Sequence, residues 1–387
     1  MSARRTFLKG VAAAGGALAW PARHSVAQGV FAPKSALRVL ILGGTGAIGP
    51  YHVRAAVERG HRVAVFSRGK TPADLPLGVE RLIGDRNGDL EAIRKREWDA
   101  IIDVATFGPG WIRSLAEAFA GRIPHYTFIS TVSVYADPEA NGTTTEDSPV
   151  LAYHGAADPY SVVTHVGDDY GALKVLCESE AEKWFPNRTL VLRPGYIAGP
   201  GDSRALTYWA VRAKKGGELL AGSSPATPVQ YTDVRDLAEW TVRMIEKRAV
   251  GTFNAVGPAA PTNLAHIIAV AVRTLSPTSS VTWVPTPWLL ARGHGERWGT
   301  LLFFSHGVSN IMRMSNQRAL ASGLTTRPIE MTLRDILSWY TSQPGEQQSL
   351  LITGFQRQAN GTWTVATSTW TAYLAREREL LSAWHRA

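Results

Sequence analysis

From residue 38 onward the chain alternates short apolar runs with stretches of helical period. The runs fall at Val39–Leu42, Arg62–Phe66, Arg81–Ile83, Ala100–Val104, Tyr126–Ile129 and Thr189–Leu192. Helical stretches separate them, among them Tyr51–Arg59, Trp111–Phe119 and Asp169–Lys183. Apolar runs this short read as strands buried on both faces, and strands alternating with helices build a doubly wound parallel sheet. The expected fold class is therefore α/β. Residues 137–168 are rich in Asp, Gly, Thr and Pro, and a loop of that length is more often functional than not. After Gly199-Pro200-Gly201 a helix over about Leu206–Lys215 and further short elements run to about residue 340. The tail is polar and aromatic, with GTWTVATSTW reading as a hairpin or strand before a last helix, Tyr373–Trp384.

The first strand runs directly into Gly43, Gly44, Gly46 and Gly49, and Gly60 ends the helix that follows. Strand, glycine turn, helix, strand is the context in which GxGxxG binds a dinucleotide pyrophosphate. One glycine allows the sharp turn, one lets the backbone approach the phosphates, and one lets the helix pack close to the sheet. Backbone N–H groups at the helix start then face the anion, and Pro50 suits a first turn that has no partner for its missing N–H. The fold expected is a Rossmann-type sheet over 37–200 with a smaller C-terminal α/β substrate-binding region over 201–340. Elements near 229–257 return to the Rossmann half, and 341–387 form a C-terminal extension.

Composition is that of an ordinary globular chain, 45% apolar and 19% charged over 387 residues. The N-terminus changes the picture. Arg4 and Arg5 precede Phe7-Leu8-Lys9, a short weakly apolar run follows from Val11 to Trp20, and Ser25-Val26-Ala27 offers a cleavage site. That run is too short to span a bilayer, and residues 1–27 read as a signal peptide. The pattern resembles a twin-arginine (Tat) export signal, with Ala3 where Ser or Thr is usual, which implies export, most simply to a bacterial periplasm. The signal holds four cations and no acid, so the chain's net charge of +9 falls to +5 without it. That charge is too mild and dispersed to argue for nucleic-acid binding. The single cysteine, Cys177, excludes an internal disulfide framework and a Cys-based zinc site, and no metal is expected.

Tyr170-Gly-Ala-Leu-Lys174 places a phenol and an ammonium on one helix face. A neighbouring cation lowers a tyrosine's pKa and lets it exchange a proton near neutral pH. YxxxK alone is a weak signature, and an exposed helix pair has the same spacing. Phe128-Ile-Ser-Thr-Val-Ser-Val-Tyr135 ends a strand in hydroxyl residues, and ligands of open α/β sheets bind beyond the carboxyl ends of strands. Thr131 lies there, where it would either hold a substrate oxygen or cap the next element.

Taken together, GGTGAIG, STVSVY, YGALK and LRPGYIAGPGD resemble the extended short-chain dehydrogenase/reductases, and among them the NAD-dependent epimerase/dehydratase family. QYTDVRD (230–236) and GTFNAVG (251–257) resemble that family's later motifs. The likeness is good over about 37–260 and loose over 261–340. It implies Thr131, Tyr170 and Lys174 as the catalytic set, with Tyr170 as general acid/base, Lys174 lowering its pKa and holding the nicotinamide ribose, and Thr131 bonding the reacting oxygen. It implies a cofactor site of Gly43, Gly44, Thr45, Gly46, Ala47, Ile48, Gly49, Ser67, Arg68, Asp85, Arg86, Val104, Ala105, Lys174, Pro194 and Gly195. Asp85 would meet the adenine, and Val104-Ala105 would line the cleft. The implied chemistry is hydride transfer at a carbinol or ketone carbon of a sugar-like or other hydroxylated small molecule. It also implies a homodimer through the helix bearing Tyr170 and the helix Trp111–Phe119.

Where NAD enzymes of this fold place an acid, the second strand ends Phe66-Ser67-Arg68. An arginine there suits a 2′-phosphate, so NADP is favoured over NAD unless Arg68 turns to solvent. Val132 and Ser133 follow Thr131 where sugar dehydratases have acids, which argues against dehydration. Arg204, Tyr208, Trp209 and Arg212 could line a substrate pocket or pack a core. VFSRGK and the overall frame also resemble chloroplast stem-loop RNA-binding relatives, so a non-catalytic nucleotide- or RNA-binding protein is the alternative. Free nicotinamide cofactor is not regenerated outside the cytoplasm. An exported protein of this kind would carry its cofactor out bound, and epimerisation, which returns the hydride to the same substrate, would need no exchange.

Overall fold

The computed structural model describes residues 35–136, 143–161, 169–202, 205–222, 224–292, 312–345, 348, 355–357, 363–365 and 370–387. The twin-arginine segment, parts of the 137–168 loop and Arg204 lie outside them.

Seven strands form the central sheet: β1 (Arg38–Leu42), β2 (Arg62–Ser67), β3 (Glu80–Ile83), β4 (Ala100–Asp103), β5 (Tyr126–Ile129), β6 (Thr189–Pro194) and β7 (Gly251–Ala255). Their spatial order is β7-β6-β5-β4-β1-β2-β3, every pair parallel. Each apolar run of the sequence is a strand of this sheet. Several extend by a residue or two, and β6 reaches Pro194, where it pairs with Ala255 of β7.

Helices α1 (Gly49–Glu58), α2 (Pro109–Phe119) and α3 (Tyr170–Trp184) follow β1, β4 and β5. They begin and end within a residue or two of the boundaries expected from sequence. One core layer lies between the sheet and α2–α3, around Tyr126, Phe128, Phe119 and Phe185. The other lies beneath α1 and the helix α5 named below, around Val39, Ile41, Val63 and Ile102. Burial of these runs is the main stabilising term.

Beyond β6 the chain leaves the sheet to build α4 (Ala205–Lys215), then returns through α5 (Val234–Glu246) and β7. Helix α5 packs beside α1, and Arg59 and His61 pair with Glu246 at its end. The Rossmann half is therefore not closed by residue 200; it needs residues 234–255. The second half packs α4, α6 (Leu264–Leu275), α7 (Ile329–Ser342) and a parallel strand pair, Glu218–Gly222 with Ser280–Val284. The last helix, α8 (Trp370–Trp384), starts one turn earlier than its pattern implies and buries Tyr373 and Leu380 in that same core. The C-terminal helix thus packs into the core of this second half. The expected hairpin is present as Phe355–Arg357 paired antiparallel with Trp363–Val365. No helix among the described residues is long and apolar enough to cross a membrane.

Candidate active site

The glycine loop separates the three roles its sequence suggests. Gly43 holds φ +84°, and a Cβ there would stand 2.3 Å from the Ala105 side chain. A Cβ on Gly49 would stand 2.4 Å from the Gly43 carbonyl, so α1 and β1 touch backbone to backbone. Gly46 is exposed, and its Cβ would meet nothing nearer than 3.5 Å. Its open face, with Thr45 and Ala47 beside it, is the side a ligand can approach. Helix α1 starts at N-cap Ile48 with no side-chain capping bond, carries Pro50 in its first turn, and has no acid there. An uncapped helix N-terminus under an open glycine turn fits a pyrophosphate, whose oxygens would take the N–H groups left without side-chain acceptors.

Val104 and Ala105 follow β4 and face this loop, as the resemblance implies. Ser67 ends β2, its hydroxyl accepting Gly69 N–H at 3.3 Å, and Arg68 beside it is exposed with no ion pair among the described residues. Asp85 sits in the turn after β3 and accepts Asn87 N–H at 3.0 Å. Arg86 departs from a simple cofactor contact. Its guanidinium grips Asp103 at 2.7 and 2.9 Å, bonds Thr106, and lies 5.2 Å from the Trp111 ring. Burial alone would raise the Asp103 carboxyl; Arg86, Thr106 and Tyr126 outweigh it and hold Asp103 below the usual carboxylate range. Arg86 thus builds the wall of the cleft. Pro194 ends β6 and Gly195 follows it, and a Cβ on Gly195 would lie 3.1 Å from Val256 and 3.8 Å from Val132, which sets them at the same carboxyl edge.

Thr131 lies two residues past β5 and caps a single 3-10 turn, Val132–Val134. Its hydroxyl accepts Ser133 N–H at 3.1 Å and donates to the Ser133 hydroxyl at 3.2 Å. Tyr170 is the first residue of α3, and Gly171 presses that helix end onto the turn: a Cβ there would be 2.0 Å from Ser133 O. The glycine of YGALK is what lets Tyr170 stand over Thr131's turn. Lys174, one turn on, is 3% exposed and donates to Ile129 O at 2.7 Å. Its Nζ lies 4.5 Å from the Phe128 ring centre, 5.5 Å from that of Phe107 and 6.0 Å from that of Tyr170. Burial lowers the ammonium to about 8. Thr131, Lys174 and the helix turn that begins at Tyr170 therefore meet at the carboxyl end of β5, on the same sheet edge as the glycine loop with β4 between them.

Arg204 lies outside the described residues, and the other three candidates for a substrate pocket do not line one. Tyr208 and Trp209 are fully buried core residues, and Arg212 pairs with Glu377 of α8 at 2.7 Å. Phe107, Asp103 and Glu178 are site neighbours that the motifs do not announce. Glu178 alone left a signal, the same four-residue step beyond Lys174.

Comparison with known proteins shows the fold and the family. The profile of the NAD dependent epimerase/dehydratase family matches residues 39–256, more than half of the chain. The chloroplast stem-loop binding protein of 41 kDa b of Arabidopsis thaliana is 28% identical over 256 residues, 59% of this chain and 63% of its own. The 2-alkyl-3-oxoalkanoate reductase of Stenotrophomonas maltophilia is 28% identical over 217 residues, 53% of this chain and 64% of its own. The chain thus spans less than two thirds of these relatives' length. A putative epimerase from Burkholderia cenocepacia superposes with a TM-score of 0.58 at 20% identity, over 80% of this chain and 100% of that one. The chain belongs to the NAD-dependent epimerase/dehydratase family.

Proposed function

We propose that the protein is an NAD(P)-dependent oxidoreductase or epimerase of the extended short-chain type, acting at a carbinol or ketone carbon of a sugar-like or other hydroxylated substrate. The observation that supports the reading is the α3 turn of Tyr170 and Lys174 docked on the Thr131 turn, along the same sheet edge as an uncapped helix N-terminus. When bound, the nicotinamide ring supplies the hydride acceptor or donor. Lys174 would donate to the ribose and, as a buried cation near Tyr170, favour the phenolate. Tyr170 would take the substrate's hydroxyl proton or return one to a carbonyl oxygen, while Thr131 orients that oxygen. The position of Arg68 directly after β2 supports NADP over NAD, while its exposure to solvent does not discriminate between them.

The reading extends to export. A twin-arginine signal at residues 1–27 would carry the protein out already folded with cofactor loaded, and such a protein suits epimerisation. Cell fractionation that finds the chain only in the cytoplasm would remove that part. The homodimer would use α2 and α3, and light scattering on the purified chain reports its mass.

The decisive experiment is mass spectrometry of what native protein releases on denaturation, with titration of both dinucleotides. Stoichiometric or tightly binding NAD(P) supports the reading; a protein that binds neither overturns it. A second reading, RNA binding, is favoured by the stem-loop relative, and a labelled hairpin RNA titrated at rising salt tests it.

A further inference from the structure

Lys174 and Thr131 belong to different elements, and one carboxylate ties those elements together. Glu178 stands one helical turn beyond Lys174 on α3. It accepts the hydroxyl of Ser130. Ser130 sits between Ile129, whose carbonyl takes the Lys174 ammonium, and Thr131. From the other side Arg193 of β6 holds the same carboxylate through Nε at 3.0 Å and a terminal nitrogen at 2.6 Å. Ser130 N–H donates to Leu192 O at 2.7 Å, so the end of β5 is pinned to both β6 and α3. Arg193 also donates to the Tyr135 hydroxyl at 3.0 Å, and Tyr135 donates to Asn254 at 2.6 Å. The Glu178 and Arg193 side chains are 11% and 7% exposed, so the bidentate pair works at low local dielectric.

We propose that Glu178 is a positioning residue: through Ser130 and Arg193 it fixes the β5 end, and with it Thr131, against the helix that carries Tyr170 and Lys174. The inference deepens the oxidoreductase reading and rests on it. It also has an electrostatic side. The groups facing Lys174 are Asp103 from β4 with Arg86 bound to it, and Tyr170, Cys177 and Glu178 from its own helix. Burial lowers the ammonium, Cys177, Asp103 and Glu178 oppose that, and Arg86 adds to it. Arg193 offsets part of the Glu178 charge.

The test is the affinity for NADH and NADPH, read from the fluorescence of the bound reduced cofactor across neutral and alkaline pH. In the native protein the affinity should fall as pH rises through about 8, where Lys174 loses its proton. Glu178→Gln keeps the shape and removes the charge, and should move that midpoint down by about one pH unit. Arg193→Gln releases the Glu178 charge from its partner and should move it up. Ser130→Ala removes only the tether, and should weaken affinity severalfold at an unchanged midpoint. A merely structural role would lower affinity or melting temperature without splitting the midpoints in opposite directions. If Arg193→Gln fails to fold, the Glu178→Gln shift decides alone. A native protein that binds cofactor with no midpoint, or with one that Glu178→Gln leaves in place, overturns this inference and spares the oxidoreductase reading. A native protein that binds neither cofactor overturns both.

Discussion

Gly46 and Gly49 stand three residues apart in one loop and answer to different demands. A methyl group on Gly49 would run into the backbone of Gly43 and Gly44 at 2.4–2.6 Å, where no rotamer can give way. Gly49→Ala should therefore destabilise the fold by about 1–3 kcal/mol, read from the urea midpoint. Gly46→Ala meets only ordinary contact, so its melting curve should overlay that of the native protein while its NAD(P) affinity falls at least about tenfold. Equal affinity in Gly46→Ala would place the pyrophosphate elsewhere. Asp103 makes a prediction in pH. Its folded pKa is depressed, so its contribution is present above the unfolded value of about 3.9 and is lost as pH falls through the folded one. Asp103→Asn leaves Arg86 buried without its partner. It should melt well below the native protein at neutral pH, with the gap narrowing below about pH 4. The glycines, Tyr170 and Lys174 stood out in the sequence because each belongs to a motif of seven residues or fewer, GGTGAIG and YGALK. The pairs Arg86–Asp103 and Glu178–Arg193 did not, because the members sit on separate elements that only the folded sheet brings together.

Elements were legible wherever one surface decides their pattern. A strand buried on both faces is a short apolar run, and all six such runs became strands of the main sheet, although β3 lies at its edge with Leu82 buried and Ile83 exposed. The seventh strand, Gly251–Ala255, carries Thr252 and Asn254 and showed itself by motif rather than by hydropathy. Helix α8 was expected, but its packing partners were not, for a related reason. Trp370 stacks on Tyr373 at 5.2 Å between ring centres, and the Tyr373 hydroxyl donates to that of Tyr208 at 2.7 Å. Aromatic residues in a polar tail do not reveal what they pack against. The ion pair between Arg212 and Glu377 is buried, with side chains 5% and 2% exposed. Glu377→Ala should cost about 3–5 kcal/mol in the urea midpoint by leaving a buried guanidinium without its counter-charge, with only the Gly216 and Glu218 carbonyls to accept from it, and adding Arg212→Met should recover much of it. If Glu377→Ala is neutral, α8 is not held as described.

At the scale of the whole molecule the two halves are interleaved rather than consecutive. The chain crosses from the Rossmann half to the second half after β6, returns for α5 and β7, and crosses back. The Tyr51 hydroxyl of α1 donates to Pro200 O at 2.5 Å, joining the start of the first helix to the first crossing. This order has a consequence for the chain as it is made. At about 5–20 residues per second, the stretch from β6 to the end of β7 takes roughly 3–12 s to emerge from the ribosome. Throughout that interval β6 is an unpaired edge, and the apolar face that α5 will cover stands open. The nascent protein is at its most adhesive in those seconds, and a chaperone that binds extended apolar segments has its natural client there.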